Sequence, residues 1–155
     1  MRWLAYYVKP ENITEVDMIK IVFTLLCFIL SATVSAETYL QINGTSIHSK
    51  PGYNQFNYGA GVEQTITDRW TVAGGWYRNS EYHGSAYAYA RYAVYKDGPW
   101  DIGIGVGAVT GYNRMTVLPM AFPEVCYSYL CGLFLPQVEP SGASVIGLHL
   151  KLPLN

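Results

Sequence analysis

The sequence predicts an all-β fold, an eight-stranded antiparallel transmembrane β-barrel preceded by a cleaved signal peptide. Three observations predict it: a composition rich in aromatic and small residues, eight segments of period-two alternation, and connections that alternate between short and long. The chain of 155 residues holds 14 Tyr, 4 Trp and 15 Gly but only 14% charged residues. That suits a β-protein whose outer surface faces lipid rather than water. The length allows one domain or at most two. A formal charge of -1 gives no electrostatic argument for nucleic acid or for an acidic substrate.

The first 36 residues read as processing signals. "MIKIVFTLLCFILSATVSAETY" carries Lys20, an apolar run from Ile21 to about Leu30 and a small-residue site "VSA" ending at Ala36. This is the architecture of an export signal. The run is too short for a spanning helix, whose core needs about 20 apolar residues. Residues 18–36 are therefore expected to be the signal peptide. Residues 1–17 are expected to be a non-structural leader, with Met18 the biological start, and 37–155 the barrel. Cys27 falls within the signal. Cys126 and Cys131, in "VCYSYLCG", remain in the mature chain. In an oxidising compartment they form a disulfide across a tight hairpin or stay as two packed thiols; the sequence leaves both open.

The alternating segments run in order over about 38–47, 56–66, 70–78, 85–95, 100–110, 119–127, 130–136 and 144–153. Period-two alternation bounded by turn residues is the signature of half-buried strands. In the second segment Phe56, Tyr58, Ala60, Val62 and Ile66 share one face, and Asn57, Gly59, Gly61 and Glu63 the other. The fifth sets Ile102, Ile104, Val106 and Ala108 against Gly103, Gly105 and Gly107, and the eighth sets Ile146, Leu148, Leu150 and Leu152 against Gly147, His149 and Lys151. With bulky apolar residues on one face and small or polar ones on the other, and few charges on either, a membrane barrel with an apolar exterior is expected.

Connections after the second, fourth and sixth segments are tight: "TDR" at 67–69, "KDGP" at 96–99 and "SY" near 128. The others are longer. Short periplasmic turns and longer outer loops are the pattern of outer-membrane barrels. By topology His48, Asn79, Ser80 and Arg114 then share the outer rim.

That rim holds the candidate chemistry. A hydroxyl nucleophile needs a base within hydrogen-bond reach and a group to orient the base. Ser80 meets these terms with His48 or His83 as base and Asn79 or Glu81 as orienter. The same residue types are ordinary in loops. His149, inward on the eighth segment, reads as a satisfied lumen residue. The three histidines lack metal-ligand spacing, so neither a metal site nor a cofactor is expected. Pro119 and Pro123 in "VLPMAFP" and Pro136 in "LFLPQ" each remove a ladder hydrogen bond. They either end strands or weaken one seam, making a lateral opening through which a lipid chain enters. Gly103 and Gly105 are expected to leave room inside for that chain.

The order of His48, the Asn79–Ser80 pair and "GIGVGAVTGYNRMTVLPMAFPEVCYSYL" resembles the lipid A palmitoyltransferases, small eight-stranded outer-membrane enzymes. The resemblance covers most of the mature chain as a pattern and is most specific over 102–123. It implies transfer of a palmitoyl chain from a phospholipid to lipid A, with the chain measured in the barrel interior. It also implies His48 as general base, Ser80 as the hydroxyl that is activated or that positions the ester, and Asn79 in the place of the family's aspartate. Arg114 would contact a phosphate, and Gly103, Gly105, Pro119, Pro123 and Pro136 would line the way in. The partners so implied are phospholipid and lipopolysaccharide, and the location is the outer membrane. An Asn at position 79 can orient a histidine but cannot stabilise an imidazolium by charge. An Asn, His and Ser set also resembles the outer-membrane phospholipases, which keeps acyl hydrolysis as an alternative. A non-enzymatic barrel for adhesion, host interaction or surface shielding is the alternative from another class, and a soluble periplasmic carrier of an apolar ligand a third.

Overall fold

The computed structural model describes residues 37–113, 115–137 and 142–154. The expected leader and signal peptide, and Arg114, lie outside the described residues. Every regular element among the described residues is a strand: β1 Thr38–His48, β2 Phe56–Thr65, β3 Trp70–Arg78, β4 Gly84–Asp97, β5 Trp100–Thr110, β6 Val117–Tyr127, β7 Leu130–Leu135 and β8 Val145–Pro153. They form a closed antiparallel barrel in chain order, with β8 pairing back onto β1 from Tyr39↔Pro153 to His48↔Val145. The fold expected from alternation is the fold observed.

Boundaries differ where hydrogen bonding continues past the alternation. β4 runs on to Asp97 through a bulge between Ala93 and Tyr95, and β1 carries a second bulge between Asn43 and Thr45. An extra residue in one strand shifts the register and bends it. His48 is the last residue of β1 and not a loop residue. Its direction is therefore set by the strand ladder.

The barrel is inverted relative to a water-soluble one. Phe56, Tyr58, Ile104, Val106, Ile146, Leu148 and Leu150 face outward and are exposed, whereas Glu63, Arg91, Glu124 and Lys151 are buried inside. Buried charges persist only when paired, because an isolated one costs several kcal/mol or more to desolvate. Pairing is dense here. Arg91 reaches Asp101 at 2.7 Å and Glu124 at 2.5 Å, and Lys151 reaches Glu63 at 2.5 Å. Gln41 Nε2 donates to Glu63 Oε2 at 2.9 Å and to the Tyr89 hydroxyl at 2.5 Å. This network fills the half of the barrel nearest the tight turns.

Gly103 and Gly105 serve the filling rather than a ligand. A Cβ on Gly103 would lie 2.6 Å from Arg91 Cζ, and one on Gly105 would enter the Phe122 ring. The room these glycines leave is taken by Arg91 and Phe122, which corrects the expectation that it stays open for an acyl chain. Phe122 in turn stands edge-on to Tyr89, with ring centroids 5.2 Å apart. Above this floor the interior is not filled.

Pro119 and Pro123 lie within β6, exposed on its outer face, and β6 keeps register with β5 along its whole length, including Ala108↔Pro119 and Ile104↔Pro123. The other side of β6 is different. It pairs with β7 only from Glu124↔Leu133 to Tyr127↔Leu130, so 117–123 have no β7 partner in the register. Both prolines fall in that unpaired stretch, and Pro136 follows directly after β7. A residue without an N–H is tolerated where no neighbouring strand needs the donor. At the paired end Cys126 faces Cys131, with Cα atoms 4.0 Å apart, and the two form a disulfide. The open alternative at these cysteines is thereby decided.

Candidate functional site

The long connections, described over 49–55, 79–83, 111–113, 115–116, 136–137 and 142–144, share one end of the barrel and are tied together. Asn54 N–H donates to the Ser80 carbonyl at 2.9 Å, and Asn54 Nδ2 to the Asn79 carbonyl at 3.1 Å. Ser49 and Ser144 exchange two hydrogen bonds of 3.0 Å. Asn113 N–H donates to Glu81 Oε2 at 2.9 Å. These cross-links hold Ser80 in place although it sits on a loop.

His48 and Ser80 are brought together. The imidazole Nε2 lies 2.7 Å from Ser80 Oγ. The ring is stacked on Tyr53, centroids 5.0 Å apart and planes inclined by 16°. Stacking fixes the ring plane and so aims Nε2 at the hydroxyl. Nδ1 is buried and has no hydrogen-bond partner among the described residues. His83, the other histidine of this rim, is exposed, so the geometry selects His48.

Asn79 is not brought to His48. Fully buried, it spends its side chain on its own loop: Nδ2 donates to Ser85 Oγ at 2.9 Å and to the Gly111 carbonyl at 2.7 Å, and Oδ1 accepts from the N–H groups of Glu81 and His83, each at 2.9 Å. An amide has two donors and two acceptor lone pairs, and all four are used. The orienting role expected for Asn79 is thus replaced by a scaffolding one, and Tyr53 is what orients the imidazole. Glu81 is likewise directed at Asn113. The turn it braces is tight: Tyr82 has φ 63° and its N–H reaches the Asn79 carbonyl at 3.2 Å. Gly111 has φ 81°, and a Cβ there would meet Ser85 Oγ at 2.8 Å.

Beside Ser80 opens a cavity of about 120 Å³, which His48 does not line. Ser80, Ser46 and Asn57 stand at its polar mouth, Met120, Leu133 and Leu135 form an apolar wall toward β6 and β7, and Tyr89 and Phe122 close the bottom. Gly44 and Gly147 lie beside it. At the rim, the Tyr112 hydroxyl is 3.0 Å from that of Tyr77 and next to Ser80. Burial raises the Tyr112 phenol above its ordinary value, which keeps it a neutral hydrogen-bonding group. Pro119, Pro123 and Pro136 are not among the lining residues; they border the unpaired β6–β7 stretch outside the Met120, Leu133 and Leu135 wall.

Tyr53, Tyr77, Tyr87, Tyr89 and Tyr112 escaped sequence reasoning. The alternation "SAYAYARY" marks a strand but not which face of it turns inward, because tyrosine suits both a lipid interface and a hydrogen-bonded interior. Compared with known proteins, the chain matches no family model and no curated sequence. Function must therefore be argued from the barrel and its rim.

Proposed function

We propose that the protein is an outer-membrane lipid acyltransferase that takes an acyl chain from a phospholipid and gives it to lipid A, with His48 and Ser80 at the reacting ester. What supports the membrane setting is the inverted barrel and two outward aromatic clusters. Trp70 with Tyr92 and Trp100 with Tyr127 stand near the tight turns, and Phe56, Tyr58 and Trp76 near the long loops. Trp70 and Trp76 on one strand are six residues apart, about 20 Å along it. Aromatic girdles flanking an apolar band of that order are what a membrane barrel presents to lipid.

The single observation that carries the chemistry is the 2.7 Å contact of His48 Nε2 with Ser80 Oγ at the mouth of an interior cavity. In the proposed reaction Nε2 accepts the Ser80 proton as Oγ attacks the ester carbonyl. The imidazolium then returns the proton to the departing lysophospholipid oxygen, leaving an acyl-serine. A lipid A hydroxyl, deprotonated by the same nitrogen, attacks that ester and restores Ser80. The fatty chain rests in the cavity against Met120, Leu133 and Leu135, entering where β6 and β7 are unpaired. Among the described residues no carboxylate neutralises the imidazolium, so a modest turnover is expected; an aspartate that stabilises the imidazolium is worth orders of magnitude in rate. Arg114, in the connection between β5 and β6, is proposed to contact a phosphate.

Mass spectrometry of lipid A and phospholipids from cells with and without the protein, alongside Ser80→Ala, tests this reading. A gain of one acyl chain on lipid A that vanishes in Ser80→Ala is expected. Accumulating lysophospholipid and free fatty acid, with lipid A unchanged, would mean hydrolysis instead. An unchanged profile with the folded barrel present in the outer membrane would leave the non-enzymatic barrel as the better account.

A further inference from the structure

Three metal-ligating side chains, Glu124, Cys126 and Cys131, converge at the tight-turn end of the barrel, away from the rim, and a fourth, His149, lies against Glu124. Glu124 and Cys126 are two apart on β6 and so share its inner face, Cys131 lies opposite Cys126 on β7, and His149 lies opposite Cys131 on β8. The Glu124 carboxylate and the two sulfurs lie within 4.8 Å of one another. His149 Nε2 is 3.4 Å from Glu124 Oε1. All four residues are at least nine-tenths buried, His149 being 5% exposed and Glu124 0%.

Two of the ligand atoms are unused. Glu124 Oε2 is held by Arg91 Nε at 2.5 Å, yet Oε1 takes part in no hydrogen bond, and neither does His149 Nε2. A buried polar atom without a partner costs about 1–3 kcal/mol, so two of them pointing at each other beside a pair of sulfurs need a reason.

We propose that Cys126, Cys131, Glu124 and His149 form a zinc-type divalent-metal site that the disulfide masks and reduction unmasks. A dithiol reductant supplies two electrons and two protons to the sulfurs and leaves as its own disulfide. The metal ion then displaces both thiol protons, giving two metal–thiolate bonds, with the Glu124 carboxylate as the third ligand and His149 Nε2, which has to move in from its place beside Glu124, as the fourth. Two thiolates, an imidazole and a carboxylate are ligands that zinc accepts. With metal–sulfur bonds of about 2.3 Å the sulfurs stand roughly 3.8 Å apart, a separation they reach once no longer bonded. Access is through the β6–β7 hairpin, whose four register pairs make it the shortest seam of the barrel. No local spacing reveals such a site, because its ligands come from three strands.

The test uses the full-length protein folded in detergent micelles and Co²⁺ as the probe. After reduction by a thiol reagent and its removal without air, one Co²⁺ per chain should give a thiolate-to-metal charge-transfer band and the visible bands of a tetrahedral site. The oxidised protein and the Cys126→Ser/Cys131→Ser variant should give neither, and Zn²⁺ should abolish them. His149→Ala should weaken Co²⁺ at least tenfold. A reduced barrel that stays folded without the band, or a band indifferent to His149→Ala, overturns the proposal. If reduction unfolds the barrel, Zn²⁺ should refold it, since binding at such a site is folding free energy; failure to refold overturns it equally.

Discussion

His48 Nε2 lies 2.7 Å from Ser80 Oγ although the two residues are 32 positions apart, one at the end of β1 and the other on the loop after β3. The strand ladder aims the first and a lattice of loop hydrogen bonds holds the second. Their meeting is a product of barrel closure.

If that contact moves the proton, each of Ser80→Ala and His48→Ala should lower acyl transfer by about 10²–10⁴-fold. The double variant should be no slower than the worse single, because residues acting as a unit are not additive. Initial rates with detergent-dispersed phospholipid and lipid A, on protein whose heat-modifiable migration is intact, provide the measurement.

Asn79 should behave as a scaffold. Asn79→Asp puts an oxygen where Nδ2 now donates to the Gly111 carbonyl at 2.7 Å. A loss of about 1–3 kcal/mol is expected in urea unfolding, with no rise in transfer rate above the parent. A rate increase on Asn79→Asp would mean that the side chain does orient His48 during turnover.

The filled and unfilled parts of the interior should answer differently to the same added methyl. Gly103→Ala meets the Arg91 guanidinium and should cost about 1–3 kcal/mol. At Gly44 the nearest atom to a new Cβ is the Leu148 carbonyl oxygen at 3.6 Å, an ordinary contact. Gly44→Ala should fall within about 0.5 kcal/mol of the parent. Equal effects would contradict the filled floor.

Glu124→Gln removes the charge that faces Arg91, a side chain with no exposed surface. Breaking one partner from a buried pair costs about 3–5 kcal/mol, and Asp101, 2.7 Å from Arg91, should hold the loss to the lower end of that range. Urea titration of the folded barrel reads it.

Met120→Trp should shorten the acyl chain that is transferred. Met120 lies in the apolar wall beside Leu133 and Leu135, and a larger ring there fills part of the cavity. The mass added to lipid A reports the chain length directly; an unchanged mass would place the chain elsewhere.

Strand order, faces and the sharing of one rim by the long loops were all legible in the linear chain. Alternation is a local property: "IGIGVGAV" can only put its aliphatic and its glycine residues on opposite faces, and tight and long connections sort themselves to opposite ends in any up-and-down barrel. The boundary at His48 was less so, since hydrogen bonding to β8 and not alternation extends β1 to its last residue. Tertiary structure alone decided that Ser80 meets His48 and not His83, that Asn79 is consumed by Ser85, Gly111, Glu81 and His83, that Arg91 and Phe122 occupy the space of Gly103 and Gly105, and that Cys126 and Cys131 are bonded. Each of these depends on register between strands distant in sequence and on closure of β8 onto β1. The alternation that determines a strand's faces carries no information about which residue stands across from which.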